Sequence, residues 1–152
     1  MLTKPDAGWS DFQLDGTPAY GLSYLDDIAS DWLEQAIHGL ETMNPFCVKA
    51  YMEPGRFLCV VSYYNCHIIY ENEEKRLLDK EDIYIKYSHT SMINFCKFLY
   101  NDISENIDEW TTFVDYVNID FEEHKKELEN KLERLKNLIT EREEDFNKSI
   151  WI

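Results

Sequence analysis

The chain has 152 residues, which is long enough for one domain whose hydrophobic core needs no disulfide or metal to hold it. Hydrophobic residues make up 44% of the sequence and aromatic residues 14%, which excludes an intrinsically disordered chain. Fifteen Lys and Arg residues stand against thirty Asp and Glu residues. The resulting net charge of −15 argues against binding to nucleic acid or to an anionic membrane and favours a basic protein partner.

The sequence carries no segment that indicates membrane insertion or export. No apolar run approaches the roughly 20 residues that a membrane-spanning helix needs, and residues 1–6 contain no apolar signal segment. We therefore expect a cytoplasmic protein whose four cysteines (Cys47, Cys59, Cys66 and Cys96) are reduced thiols.

The first predicted elements are a β-hairpin and a helix. Residues 9–14 and 19–24 have extended character, and the turn residues of 15–18 separate them. The helix begins after a cap supplied by Asp26, Asp27 or Ser30 and ends before Pro45. Its apolar residues recur at spacings of three and four: Ile28, Trp32, Leu33, Ala36, Ile37 and Leu40.

Four strands are predicted next, at 46–51, 57–64, 66–70 and 83–87, with a charged connection at 71–80. The second of these strands is an almost continuous apolar run, which is typical of a central strand that is covered on both faces. Because the strands follow one another through turn signals, they predict an antiparallel sheet.

Two further helices are predicted in the C-terminal part. The first carries the apolar residues Met92, Phe95, Cys96, Leu99 and Ile103. Residues 104–118 allow a continuation of that helix, and a long helix runs from about residue 120 toward Phe146. Lys125 and Arg142 interrupt its apolar stripe, which favours docking on the chain's own sheet over an extended coiled coil.

Together these elements predict an α+β fold with an antiparallel sheet of about four to six strands, helices packed on one face, and a long C-terminal helix. We expect a single domain over residues 1–152, with a body at 1–118 and the docked helix at 119–152.

The negative charge is unevenly distributed. Residues 5–48 and 98–124 each contain eight acidic residues and no Lys or Arg. An acidic composition can also serve solubility alone. Solubility, however, requires only a surface on which acidic and basic residues are interspersed, and it does not require stretches without any basic residue. Helical spacing gathers these acids into two candidate partner-binding sets: Asp27, Asp31 and Glu34 in the first, and Asp102, Glu105, Asp108 and Glu109 in the second.

No motif in the sequence indicates an enzyme. His67 directly follows Cys66, and a strand points consecutive side chains to opposite faces, so the two cannot act as nucleophile and base. A Cys-x-x-Cys pair, a Gly-x-Ser-x-Gly elbow and a phosphate-binding glycine loop are all absent from the sequence. We expect no catalytic residue, no cofactor and no metal site.

Several segments of the N-terminal half are similar to those of small acidic immunity proteins, which accompany toxins in bacterial polymorphic and contact-dependent inhibition systems. These segments are Trp9-Ser-Asp-Phe12, Leu22-Ser-Tyr-Leu25, Asp31-Trp32-Leu33 and Glu53-Pro-Gly-Arg-Phe57. The resemblance covers roughly the first 70 residues and implies a role as toxin inhibitor without implying a particular site.

The leading hypothesis is therefore a non-catalytic protein that neutralises a basic partner, a cognate toxin domain of nuclease type. The two acidic sets would supply steering and ion pairs, and Tyr24 and Trp32 would supply aromatic anchors. The first alternative is a structural or regulatory module that homodimerises through its C-terminal helix. A small metal-dependent hydrolase built on the carboxylates is the second.

Overall fold

The computed structural model describes residues 1–71, 83–114 and 119–148. The elements in chain order are β1 (Trp9–Phe12), β2 (Tyr20–Ser23), α1 (Ile28–Thr42), β3 (Phe46–Tyr51), β4 (Arg56–Val61), β5 (Cys66–Glu71), β6 (Ile83–Ser88), α2 (Met92–Glu105), α3 (Ile107–Thr111) and α4 (Phe121–Lys148). The predicted connection at 71–80 lies almost entirely outside the described residues, apart from Glu71 at the end of β5.

The strands form two antiparallel sheets, which confirms the predicted α+β class. β1 pairs with β2, with Phe12 opposite Tyr20. The main sheet has the order β3-β4-β5-β6, so every neighbouring pair of strands is also consecutive along the chain. Its register places Cys59 opposite Val48 on one side and opposite Ile68 on the other.

Among the described residues, strand β4 is fully buried on one face only. Phe57, Cys59 and Val61 are buried, whereas Leu58 and Val60 are only half-buried. Within the described ranges, the sequence prediction that both faces are covered is therefore wrong, because the described helices pack on the face that carries Phe57, Cys59 and Val61. An apolar run predicted the strand correctly but did not indicate how many layers surround it.

The covered face of the sheet meets a cluster of aromatic side chains. The ring of Phe12 lies 5.0 Å from that of Phe57 and 5.5 Å from that of Trp32. Phe95 of α2 packs on Trp32 and on Phe46 of β3, at 6.3 Å and 5.8 Å. The β-hairpin, α1 and α2 therefore share one hydrophobic core with the main sheet.

Asp27 caps the N-terminus of helix α1, because its Oδ1 atom accepts a hydrogen bond from the Ser30 backbone N–H. Its buried residues repeat at helical spacing: Ile28, Ala29, Trp32, Leu33, Ala36 and Leu40. The helix ends at Met43, which adopts a left-handed conformation.

Helices α2 and α3 follow the sheet as separate elements. Ser91 caps α2 by accepting a hydrogen bond from the Asn94 backbone N–H, and the predicted apolar stripe of α2 is buried. Asn106 separates the two helices, and the short α3 buries Trp110. Residues 104–118 are thus not one continued helix, and 115–118 lie outside the described residues.

The long helix α4 packs against α1, α2 and α3 rather than on the sheet. This corrects the expectation that it docks on the sheet: α1 and α2 already cover that face, so α4 forms a further layer. Its buried residues are His124, Leu128, Leu132, Leu135, Leu138, Ile139 and Phe146. None of the described helices is both long and apolar enough to cross a membrane.

Candidate functional site

The first predicted acid, Asp27, is engaged within the chain. Its Oδ2 atom lies 2.7 Å from His124 Nε2 of α4, and His124 Nδ1 lies 2.8 Å from the backbone carbonyl oxygen of Thr111. Because the other carboxylate oxygen caps α1, both oxygens of Asp27 have partners. Asp27 therefore joins the start of α1 to α3 and α4.

Glu34 is an accessible acid of the first set, with its side chain 68% exposed. Its Oε2 atom lies 3.9 Å from Lys131 Nζ, whereas the same ammonium lies 3.1 Å from Glu127 and 2.7 Å from Ser30 Oγ. Lys131 therefore interacts mainly with Glu127 and Ser30, and the Glu34 carboxylate remains available to bind an external cation.

Asp31 is exposed and has no ion pair among the described residues. Partial burial removes water from the Asp31 carboxyl group and raises its pKa above the ordinary value. The neighbouring carboxylates of Asp27 and Asp26 raise this pKa further, whereas Lys131 lowers it. Partial burial likewise raises the pKa of Asp26, which Lys49 partly offsets. We refer to Asp26, Asp27, Asp31 and Glu34 as the α1 acid cluster.

The second predicted set is dispersed and mostly paired. The Met1 amino group lies 3.3 Å from Asp102, Lys125 lies 2.9 Å from Asp108, and Lys4 lies 3.0 Å from Glu109. The hydrogen bond from Lys4 lowers the pKa of Glu109. Within the described ranges, Glu105 is the one member of this set without an ion pair. This set therefore stabilises contacts between elements more than it presents free charge.

Trp32 cannot act as a surface anchor, because it is 1% exposed in the aromatic core. Its indole Nε1 donates a hydrogen bond to the Lys49 carbonyl oxygen at 2.9 Å. Tyr24 is half-buried and borders a cavity of about 350 Å³ that Asp6, Gly8 and Glu109 also line. The two predicted anchors lie in different environments, and only Tyr24 retains access to solvent.

Two cavities lie where the α1 acid cluster borders the main sheet. The first, about 400 Å³, is lined by Asp31, Glu34 and Cys47 together with Lys49 and Leu58. The second, about 360 Å³, also contains Lys49 and Leu58 in its lining and extends along the sheet from Asp26 toward Tyr51, Ile69 and Ile83. The acids of α1 therefore lie beside a surface of the sheet that the sequence did not indicate as a site.

That surface, which we call the outer sheet face, is the face opposite the helices. Two cross-strand rows define it: Lys49, Leu58, Ile69 and Ile85 in one, and Cys47, Val60, His67 and Tyr87 in the other. Of these eight side chains, four are aliphatic, one is the aromatic Tyr87 and one is the thiol of Cys47. The other two are Lys49 and His67. The alternation of side-chain direction along β3 and β6 indicates which residues share a face of the sheet. It does not indicate which of the two faces the helices cover.

One end of the outer sheet face is bordered by a charged pair. Arg56 lies 2.6 Å from Glu71, and this contact raises the pKa of the Arg56 guanidinium. The pair crosses from β4 to β5 and contributes no net charge. Lys49 is therefore the cation that lies between the α1 acid cluster and the apolar residues.

Residues 1–71, 83–114 and 119–148 bring together no group of three His, Cys, Asp or Glu side chains that could hold a metal ion. The four cysteines are free, and burial raises the pKa of the Cys96 thiol. No protein family, curated protein or solved structure matches the chain.

Proposed function

We propose that this protein is a non-catalytic binding protein that neutralises a basic protein partner, in the manner of an immunity protein that inhibits a cognate bacterial toxin. The observation that carries the proposal is the α1 acid cluster, in which Asp26 and Asp27 lie just before the first turn of α1 and Asp31 and Glu34 lie on its first two turns. A helix with a buried apolar face presents such groups in a fixed arrangement, which lowers the entropic cost of binding.

The crowding of these carboxylates supports a cationic ligand. Asp26 and Asp31 both have raised pKa values, so their ionised forms are held at an energetic cost in the free protein. A lysine or arginine of a partner would relieve that cost on binding. The net charge of −15 would add long-range attraction and raise the association rate of a basic toxin domain.

The role suits inhibition of a nuclease-type toxin. An enzyme that binds nucleic acid carries basic residues in its cleft, and an acidic protein that covers that cleft competes with the polyanionic substrate. A cytoplasmic location fits this role, because the protein would then meet the toxin where its substrate lies.

Homodimerisation through α4 has less support. Its apolar residues Leu128, Leu132, Leu135 and Leu138 are buried within the chain. A dimer through this stripe would require α4 to leave α1 and α2. No observation favours a metal-dependent hydrolase.

The test is rescue of bacterial growth. A basic protein encoded beside this gene is expressed alone and together with this chain, and bacterial growth is measured in both cases. As a second readout, the two proteins are purified to determine whether they form a complex. We expect toxicity from the neighbour alone, rescue by the chain, and loss of rescue when Asp26, Asp31 and Glu34 are all changed to Lys.

The matched control places the same charge change on the β-hairpin, with Asp6, Asp11 and Asp15 changed to Lys. This control alters net charge equally and leaves the α1 acid cluster unchanged. Rescue that survives the α1 substitutions, or is lost equally in both variants, would show that the α1 acid cluster is not the binding site.

A further inference from the structure

The outer sheet face exposes apolar side chains that a solvent-facing sheet normally replaces with polar ones. Ile85 is 65% exposed and Tyr87 is 44% exposed, both on β6 at the edge of the main sheet. Leu58 and Ile69 extend the row of Ile85 across the two inner strands and are half-buried. In the described part of the chain, no helix or strand covers this row.

We propose that the outer sheet face is the second half of the partner-binding surface, and that it receives an apolar element of a basic protein whose cations meet the α1 acid cluster. This inference rests on the proposed function and specifies the chemistry of the partner. Such an element carries aliphatic side chains over Leu58, Ile69 and Ile85 and Lys or Arg residues at its edge nearest to α1.

The arrangement of charge selects a basic occupant. Asp31 and Glu34 line the same cavity as Leu58, and Asp26 lines the same cavity as Ile69, so the acids directly border the apolar row. The positive charge of Lys49 offsets part of the negative charge of Asp26, Asp31 and Glu34, but these three acids outnumber it. A partner that places cations over α1 and apolar groups over the sheet is complementary at both positions.

The area argues against a second copy of this chain. Four strands about 4.8 Å apart, with about 3.3 Å of rise for each of six residues, outline a face on the order of 300 Å². A stable interface buries about 800 Å² of accessible surface on each partner, so a face with this small outline needs an adjoining surface to complete the interface. Two copies would also bring together two net charges of −15.

A basic partner can reach the required area, because it can use α1 together with the sheet. The two cavities share Lys49 and Leu58, which makes the surface continuous from α1 to Ile69. Apolar burial over the sheet would then supply affinity, and the acids would supply orientation and a fast encounter.

The experiment uses two synthetic nine-residue peptides with five lysines each, one alternating Lys with Val and one alternating Lys with Ser. Affinities for the full chain are measured by titration, and binding positions are measured from backbone amide chemical shifts. We expect the Lys–Val peptide to bind at least about tenfold more tightly, since burial of one valine side chain is worth about that factor. The shifts should map to α1 and to the outer sheet face.

Two variants that replace an apolar β-branched side chain with a polar one isolate the apolar part. Val60→Thr and Ile85→Thr keep β-branched residues in the strands, and together they should abolish most of the preference for the Lys–Val peptide while leaving the Lys–Ser affinity unchanged. Phe98→Thr, at a 44% exposed position on α2, is the control and should leave both affinities unchanged. Thermal unfolding of each variant confirms that it remains folded.

The outcomes separate the two proposals. Equal affinities for both peptides, with no effect of Val60→Thr and Ile85→Thr, would overturn the use of the outer sheet face and leave the proposed function standing. Failure of both peptides to bind would count against the acidic binding function itself. A doubled mass in solution that Ile85→Thr reduces to a single copy would assign the face to homodimerisation and overturn the inference.

Discussion

Arg142 of α4 donates a hydrogen bond from Nε to the Leu40 carbonyl oxygen of α1 at 2.9 Å. Its Nη2 atom donates a second hydrogen bond to the Glu41 carbonyl oxygen at 3.2 Å. Both carbonyls belong to the last turn of α1, where backbone acceptors have no partner within the helix. The residue that interrupts the apolar stripe of α4 therefore caps a helix that precedes it by about 100 residues.

Arg142→Gln should lower the free energy of unfolding by about 1–2 kcal/mol, because it removes charged donors from the Leu40 carbonyl, in a partly buried contact, and from the Glu41 carbonyl, in an exposed one. Urea denaturation measures the change. Lys148→Gln is the control, since among the described residues Lys148 pairs with Glu144 on the exposed surface of α4, and its loss should cost less than about 0.5 kcal/mol. Equal losses in the two variants would contradict the capping role.

His124→Ala should destabilise the protein by about 1–3 kcal/mol, because the ring contacts both Thr111 and Asp27 in a nearly buried position. The neighbouring Lys125→Ala removes an exposed pair with Asp108 and should cost at most about 1 kcal/mol. The coupling between His124 and Asp27 is measured with a double-mutant cycle that includes Asp27→Asn. Additive losses in that cycle would show that the two side chains do not interact.

Gly39→Ala should be strongly destabilising, because a Cβ atom at this position would lie 2.3 Å from Cδ1 of Phe46. The buried Phe46 ring or the backbone of α1 would have to shift, at an expected cost of about 1–3 kcal/mol. Gly21→Ala is the matched control, since the nearest atom to its Cβ would lie 3.7 Å away. Thermal unfolding compares the two, and a stable Gly39→Ala protein would show that this contact relaxes without cost.

Asp31→Asn should stabilise the protein at pH 7 by up to about 1 kcal/mol, because the ionised Asp31 carboxylate loses hydration and is then repelled by Asp27 and Asp26 at a partly exposed position. The folded-state pKa of Asp31 is raised, so its ionised form destabilises the fold above that pKa. The gain should disappear as the pH falls through the raised pKa toward the ordinary value of about 3.9. Chemical denaturation across this pH range measures the difference between the two proteins.

Glu109→Gln is the control of opposite sign for that experiment. Lys4 lowers the pKa of Glu109, so the ionised carboxylate stabilises the folded state above the ordinary pKa of a glutamate. The substitution should lower stability at pH 7, and this loss should disappear as the pH falls through the lowered pKa. A gain in the Glu109→Gln variant at pH 7 would contradict the assigned direction.

The elements of the fold could be predicted because their causes are local. Helix α1 follows from apolar residues at helical spacing and a cap at Asp27, and α4 follows from a stripe that no Gly or Pro interrupts. The strands follow from apolar runs between turn residues. Within each of the two sheets, order along the chain then decided the antiparallel pairing, since neighbouring strands are consecutive in sequence.

Most of the helices and strands, the sign of the charge and its concentration in two stretches follow from local sequence. Which acids remain free depends on tertiary contacts, because Asp27 meets His124 across 97 residues and Asp108 meets Lys125 across 17. The tertiary structure also placed Trp32 in the core and placed the row of Leu58, Ile69 and Ile85 on the face of the sheet opposite the described helices. Burial and pairing depend on the elements that pack together, and local periodicity specifies a face without specifying what covers it.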